Sequence, residues 1–195
     1  MADERLEDVI DPALIEDVVP GPVPPQPGDT LRMLIATACG LGFLRPAPGT
    51  WGSTPPCAVA WIMLLLGVDL AIVTGAMIVL ALFGLGGSLF IGGYAERRFG
   101  RKDPSEVVID EVGGQAVALL FLPTFAVSDP WRATFTVGGA FVLFRVMDIL
   151  KPPPAYVLQR LKGGLGIVID DLLAGAYAAV LLQIGLYSLR AAGAL

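Results

Sequence analysis

The side chains of this sequence that could do chemistry are mostly acidic, and they come in pairs. Asp110-Glu111 and Asp170-Asp171 each stand where an apolar stretch begins, and Asp148 lies near the end of a third. A charge this close to hydrocarbon is costly unless it is paired or bound to a cation, which marks all five as functional candidates. A helix macrodipole can account for one carboxylate of each pair, at about 0.3–1 kcal/mol. It accounts poorly for both, because neighbouring residues on a helix point about 100° apart and one of them must face another helix. With Asp148 at the same level, up to five carboxylates could surround one point. Like charges so placed raise one another's pKa or recruit a cation, and an all-oxygen donor set suits Mg²⁺, which prefers carboxylates together with substrate phosphate. These five carboxylates, Asp110, Glu111, Asp148, Asp170 and Asp171, therefore read as a metal site.

A phosphate held by such an ion needs cations beside it, and Arg45, Arg145 and Lys151 stand at the same level. Arg145 and Asp148 are three apart on one helix face and could also simply neutralise each other. The stretch Pro48-Gly49-Thr50-Trp51-Gly52-Ser53 offers backbone N–H groups and the hydroxyls of Thr50 and Ser53 to phosphate oxygens. It reads equally as a Pro-Gly turn and a Ser/Thr helix cap, with Pro55-Pro56 opening the helix. Cys39 to Arg45 also fits C-x-x-G-x-x-R, a phosphate loop with a cysteine nucleophile. Nothing polar around Cys39 would lower its thiol pKa, and both Cys39 and Cys57 fall in apolar stretches where a thiol is usually a small core residue.

Composition removes other chemistries. The 195 residues contain no histidine, which excludes Ser-His-Asp hydrolysis, histidine-dependent phosphatases and His-containing zinc sites. Two cysteines make neither a Cys₄ site nor a disulfide framework. There is no basic patch for nucleic acid. With 55% hydrophobic residues, 16% charged residues and a mean hydropathy of +0.72, the chain belongs in a bilayer.

The elements that must position these groups follow from segment length, at about 1.5 Å of helix rise per residue across roughly 30 Å of hydrocarbon. Residues 31–44 are too short to span and read as an interfacial or re-entrant helix. The run 55–94 holds two passes, the first of them short, broken at Gly67-Val68-Asp69. Residues 108–127, 132–150 and 167–190 each have the length of a full span. The expected fold is an all-α polytopic membrane helix bundle of four or five spans plus the short helix. Gly86-Gly87, Gly113-Gly114 and Gly138-Gly139 are either points of close helix contact or tolerated poor helix formers. Arg97, Arg98, Arg101 and Lys102 in one loop, and Lys151, Arg160 and Lys162 in another, place those loops in the cytoplasm, together with the acidic groups. Residues 1–30 carry Asp3, Glu4, Glu7, Asp8, Asp11, Glu16, Asp17 and Asp29 against Arg5 alone, and are rich in proline. They read as a disordered arm preceding a membrane domain at 31–195, and as no secretory leader.

In this order, PGTWGS at 48–53, the acid pair and following glycine at 110–113, FRVMDILKPPP at 144–154 and GGLGIVIDDLLAG at 163–175 resemble the signature of the phosphatidylglycerophosphatase A family of bacterial membrane enzymes, over roughly residues 31–190. The resemblance implies Mg²⁺-dependent hydrolysis of the terminal phosphate of phosphatidylglycerophosphate, giving phosphatidylglycerol, at the cytoplasmic face of the inner membrane. Combined with the residue reading, it makes Asp148, Arg145 and Lys151 catalytic, Arg45, Thr50 and Ser53 substrate-binding, and the two acid pairs the metal site. One departure is the apolar run Cys39–Leu44, where the family often has small polar residues. The rival of another class is a small transporter or proton or cation relay, whose acids belong near the bilayer midplane rather than at one edge. A CDP-alcohol phosphotransferase would need D-x-x-D-G-x-x-A-R, and an aspartyl phosphatase D-x-D; neither pattern occurs. Sequence leaves oligomeric state open.

Overall fold

The computed structural model describes residues 23–24, 26–102, 104–154 and 164–194. Most of the acidic arm, together with Arg160 and Lys162, lies outside these residues. The described part is helical throughout. It comprises α1 (Asp29–Ala36), α2 (Pro48–Gly52), α3 (Thr54–Leu65), α4 (Leu70–Phe99), α5 (Ile109–Ala118), α6 (Pro130–Leu150) and α7 (Gly164–Ala191), with 3-10 turns at Leu41–Phe43 and Thr124–Ala126.

Local chemistry sets the helix ends. Asp69, placed at the predicted break, caps α4 by accepting from the Ala71 N–H at 2.7 Å. Asp129 does the same for α6 through the N–H groups of Trp131 and Arg132, with Pro130 in the first helical position. Gly100 closes α4 with φ +66°. The helix expected over 31–44 stops at Ala36: Thr37 Oγ1 donates to the Met33 carbonyl and accepts the Gly40 N–H, and Gly40 turns the chain with φ +94°. Asp29, counted above with the acidic arm, opens α1 and is buried.

Three helices, α4, α6 and the Val168–Ala191 part of α7, are long and apolar enough to cross a membrane. Many of their large side chains point outward (Phe90 is 85% exposed, Phe135 74% and Leu82 71%), while Met77 and Phe144 are fully buried. Small residues such as Ala81, Ala140 and Ala178 point inward. Small inside and large outside is the arrangement expected where lipid, not water, is the surroundings. The stretch 108–127, expected as a full span, instead holds the 10-residue helix α5 and the Thr124–Ala126 turn. At about 1.5 Å per residue α5 covers only half of the hydrocarbon, and α3, at 12 residues, is also short.

α5 is the buried centre, packed between α4 and α7. Glycines make this approach possible. A Cβ on Gly114 would lie 2.6 Å from the Asp171 carbonyl and 2.7 Å from the Phe144 ring; one on Gly175 would strike the Gly114 carbonyl, and one on Gly84 the Gly113 backbone. Gly86 and Gly138, by contrast, face open space. Gly175→Val should therefore lower the thermal stability of the detergent-solubilised protein by about 1–3 kcal/mol or more, while Gly138→Ala leaves it within about 0.5 kcal/mol; size-exclusion recovery after a heating series measures both.

Candidate active site

The short helix α5 begins where α4, running the other way, has just ended, and α6 ends where α7 begins. The four ends meet at one edge of the bundle, which carries the predicted site residues. Asp110 and Glu111 occupy the first turn of α5, where the N-terminal partial charge favours them. Asp170 and Asp171 do not begin α7. The helix starts at Gly164, so they sit nearly two turns inside it, beyond the reach of its dipole, and capping explains neither.

One carboxylate oxygen from each of Asp110, Glu111 and Asp171 lies within 4.8 Å of the other two. Asp110 and Asp171 are each only 4% exposed. Glu111 Oε2 is buried and accepts no hydrogen bond among the described residues. A buried, acceptor-only oxygen next to two more carboxylates is an unfavourable arrangement by itself and a suitable one around a hard cation with oxygen preference. These three residues could hold a metal ion.

Asp170 is directed elsewhere. It forms an ion pair with Lys151 through Oδ2, and its Oδ1 accepts the Asp171 N–H at 3.1 Å. Asp148 pairs with Arg145 at 2.8 Å, the i, i+3 neutralisation that the spacing allowed. The expected ring of five carboxylates is thus a trio from α5 and α7, flanked by two acids that each carry a basic partner. Lys151 closes α6 in the left-handed conformation, φ +44°, which turns the chain at the site's rim.

Beside the trio opens a cavity of about 350 Å³, lined by Glu111, Arg145, Asp148 and Lys151 on one side and by Ala47, Pro48 and Gly49 on another. Gly49 has a definite steric role. A Cβ there would strike Glu111 Oε1 and come within 2.9 Å of Arg145 Nη1, so the Pro-Gly turn lies directly on the acid and the cation. This close approach was not read from the sequence, where Gly49 stood only as part of a Pro-Gly turn or a phosphate cradle.

Three predicted substrate-binding residues are placed differently. Arg45 is mostly exposed and pairs with Glu106 at 3.5 Å, a carboxylate that also holds Arg101. Ser53 is fully buried, and its hydroxyl donates back to the Gly49 carbonyl at 2.8 Å and makes no helix-capping hydrogen bond. The Thr50 carbonyl accepts from the Thr54 hydroxyl at 3.0 Å. None of the three lines the cavity. Cys57 is buried as expected, whereas Cys39 is exposed. Gln115, one turn beyond Glu111, was not singled out by sequence; it is fully buried with neither amide atom hydrogen-bonded among the described residues.

Comparison with known proteins gives a consistent picture. The profile of the family described as Phosphatidylglycerophosphatase A matches residues 34–186. A Bacteroides thetaiotaomicron protein provisionally named phosphatidylinositol-3-phosphatase is 37% identical over 157 residues, 79% of this chain and 92% of its own length. The Phosphatidylglycerophosphatase A of Haemophilus influenzae is 38% identical over 149 residues (75% and 83%), and that of Escherichia coli 30% identical over 150 residues (76% and 80%). No solved structure matches. With buried acids and cations gathered at one bundle edge and a family profile covering most of its length, the chain belongs to the phosphatidylglycerophosphatase A family and is a phosphatase of phosphate monoesters.

Proposed function

We propose that this protein is a Mg²⁺-dependent phosphatidylglycerophosphatase of the bacterial inner membrane, hydrolysing the terminal phosphate of phosphatidylglycerophosphate in phospholipid biosynthesis. The observation that carries the reading is the trio Asp110, Glu111 and Asp171, with oxygens within 4.8 Å of one another beside a cavity that also holds Arg145 and Lys151. The site edge carries Arg97, Arg98, Arg101 and Lys102, and by the charge bias of loops it faces the cytoplasm. Acids gathered at an edge beside cations suit an anionic head group and disfavour a midplane relay.

Asp110, Glu111 and Asp171 would hold the metal. When bound, a divalent ion would supply Lewis-acid polarisation of the phosphoryl group and make water more acidic. Arg145 and Lys151, fixed by Asp148 and Asp170, face the equatorial phosphoryl oxygens and stabilise charge that grows during in-line displacement. Asp148, on the cavity wall, orients the attacking water. Gly49 lets the Pro-Gly turn pack directly against Glu111 and Arg145, which fixes both side chains at the cavity wall.

The test is phosphate release by purified protein from phosphatidylglycerophosphate, with Mg²⁺ and then with chelator, alongside phosphatidylinositol 3-phosphate as the substrate suggested by one relative's name. Release should depend on Mg²⁺ and favour the glycerol lipid; activity that survives chelation discards the metal, and preference for the inositol lipid reassigns the substrate. Asp110→Asn and Asp171→Asn should each lower kcat by about two orders of magnitude or more with insertion intact. Arg45→Gln, at an exposed pair, should change kcat/KM by less than about threefold. Ser53→Ala should leave kcat unchanged while lowering stability by about 1 kcal/mol, and Cys39→Ser should retain full activity.

A further inference from the structure

A second cavity, of about 320 Å³, lies on the other side of the same bundle edge, where α1 crosses the end of α4. Its walls include Arg32 from α1, Tyr94, Arg97 and Arg98 from the last turns of α4, and Gln26 and Pro27 from the segment that precedes α1. That segment is tied down at Val23, whose N–H donates to the Arg97 carbonyl at 3.2 Å. None of these residues belongs to the site described above.

The charge balance of this cavity is unusual. Among the described residues Arg97 and Arg98 form no salt bridge. Arg32 stacks over the Tyr94 ring at 5.0 Å and reaches Asp29 only at 4.0 Å. Asp29 lies beside them; the Gln26 N–H first, then the Tyr94 hydroxyl, Arg32 and Arg98, hold its carboxyl below the usual carboxylate range, so it remains charged. Among the described residues, three arginines thus line the recess with Asp29 at its side. The carbonyl end of α4 favours positive charge in its last turn, which explains basic residues there. It does not explain why they line a walled recess together with a third arginine from another helix.

We propose that this cavity binds the phosphate of a phosphate ester or of free phosphate, and that its usual occupant is the head group of an anionic phospholipid other than the molecule undergoing hydrolysis. Three guanidinium groups in a recess match the geometry of phosphate oxygens. Their position at the end of a membrane-length helix is the depth at which lipid phosphates lie. The volume admits the phosphate with part of its alcohol.

The experiment places full-length protein in phosphatidylcholine nanodiscs containing spin-labelled phosphatidylglycerol and measures the motionally restricted fraction. Wild type should hold the anionic probe over a labelled phosphatidylcholine. Each of Arg97→Gln, Arg98→Gln and Arg32→Gln should weaken retention by roughly fivefold, and Arg190→Gln at the opposite edge should not. Phosphate release from micellar substrate should stay at the wild-type rate in the Arg97 and Arg98 variants, which separates this cavity from the active site and shows the fold intact. A parallel calorimetric titration with inorganic phosphate distinguishes the sources: uptake lost in the same variants, without lipid selectivity, makes free phosphate the occupant. Equal probe retention and equal phosphate uptake in wild type and all three variants overturn the proposal.

Discussion

The structure depends on holding three mutually repelling carboxylates together in a place nearly closed to water. Asp110 and Glu111 on α5 are held against Asp171 on α7, because α5 is clamped by backbone contacts that leave no room for a side chain: Gly84 against Gly113, Gly114 against Asp171's own carbonyl, Gly175 against Gly114. The small residues that let the helices approach are thus the same feature that fixes the acids. In lipid such packing supplies much of the association energy, since burying apolar surface gains little there.

Around this core, charge is distributed by division of labour. Two of the five acids neutralise the two cations nearest the cavity, Asp148 with Arg145 and Asp170 with Lys151. Each pairing holds a long, flexible side chain in one place, which reduces the entropy lost when an anion arrives. The remaining three acids, Asp110, Glu111 and Asp171, form the buried cluster that could hold a metal ion. Farther out, Glu106 gathers Arg45 and Arg101 into a surface cluster, where solvent weakens the interaction.

Much of the site was legible because charge in an apolar sequence is costly and therefore informative. The trio and its two cationic neighbours stood among the residues singled out this way, whereas Gly113-Gly114 read equally as a close contact or as tolerated poor helix formers, and the structure shows the former. The separation of Asp170 from Asp171 was not legible, since adjacency in sequence cannot say which of two acids turns toward Lys151. The start of α7 was obscured by glycines that read as a loop but continue as helix from Gly164. The apolar run 108–127 looked like a span because hydropathy does not distinguish lipid contact from burial among other helices; α5 is apolar for the second reason. Ser53 and Arg45 were assigned by residue type, and type does not reveal that a hydroxyl bonds back along its own helix or that an arginine finds a nearer acid.

Ile149 forms part of the cavity wall while 71% of its surface remains exposed. The recess is therefore bordered on that side by a greasy threshold and not by a polar rim. A substrate with two fatty tails can slide its head sideways across this sill while the tails stay dissolved in the leaflet, with no extraction step to overcome. Turnover in such an arrangement responds to how crowded the substrate is within the two-dimensional film, and dilution with inert lipid slows it even when the amount per volume of solution is unchanged.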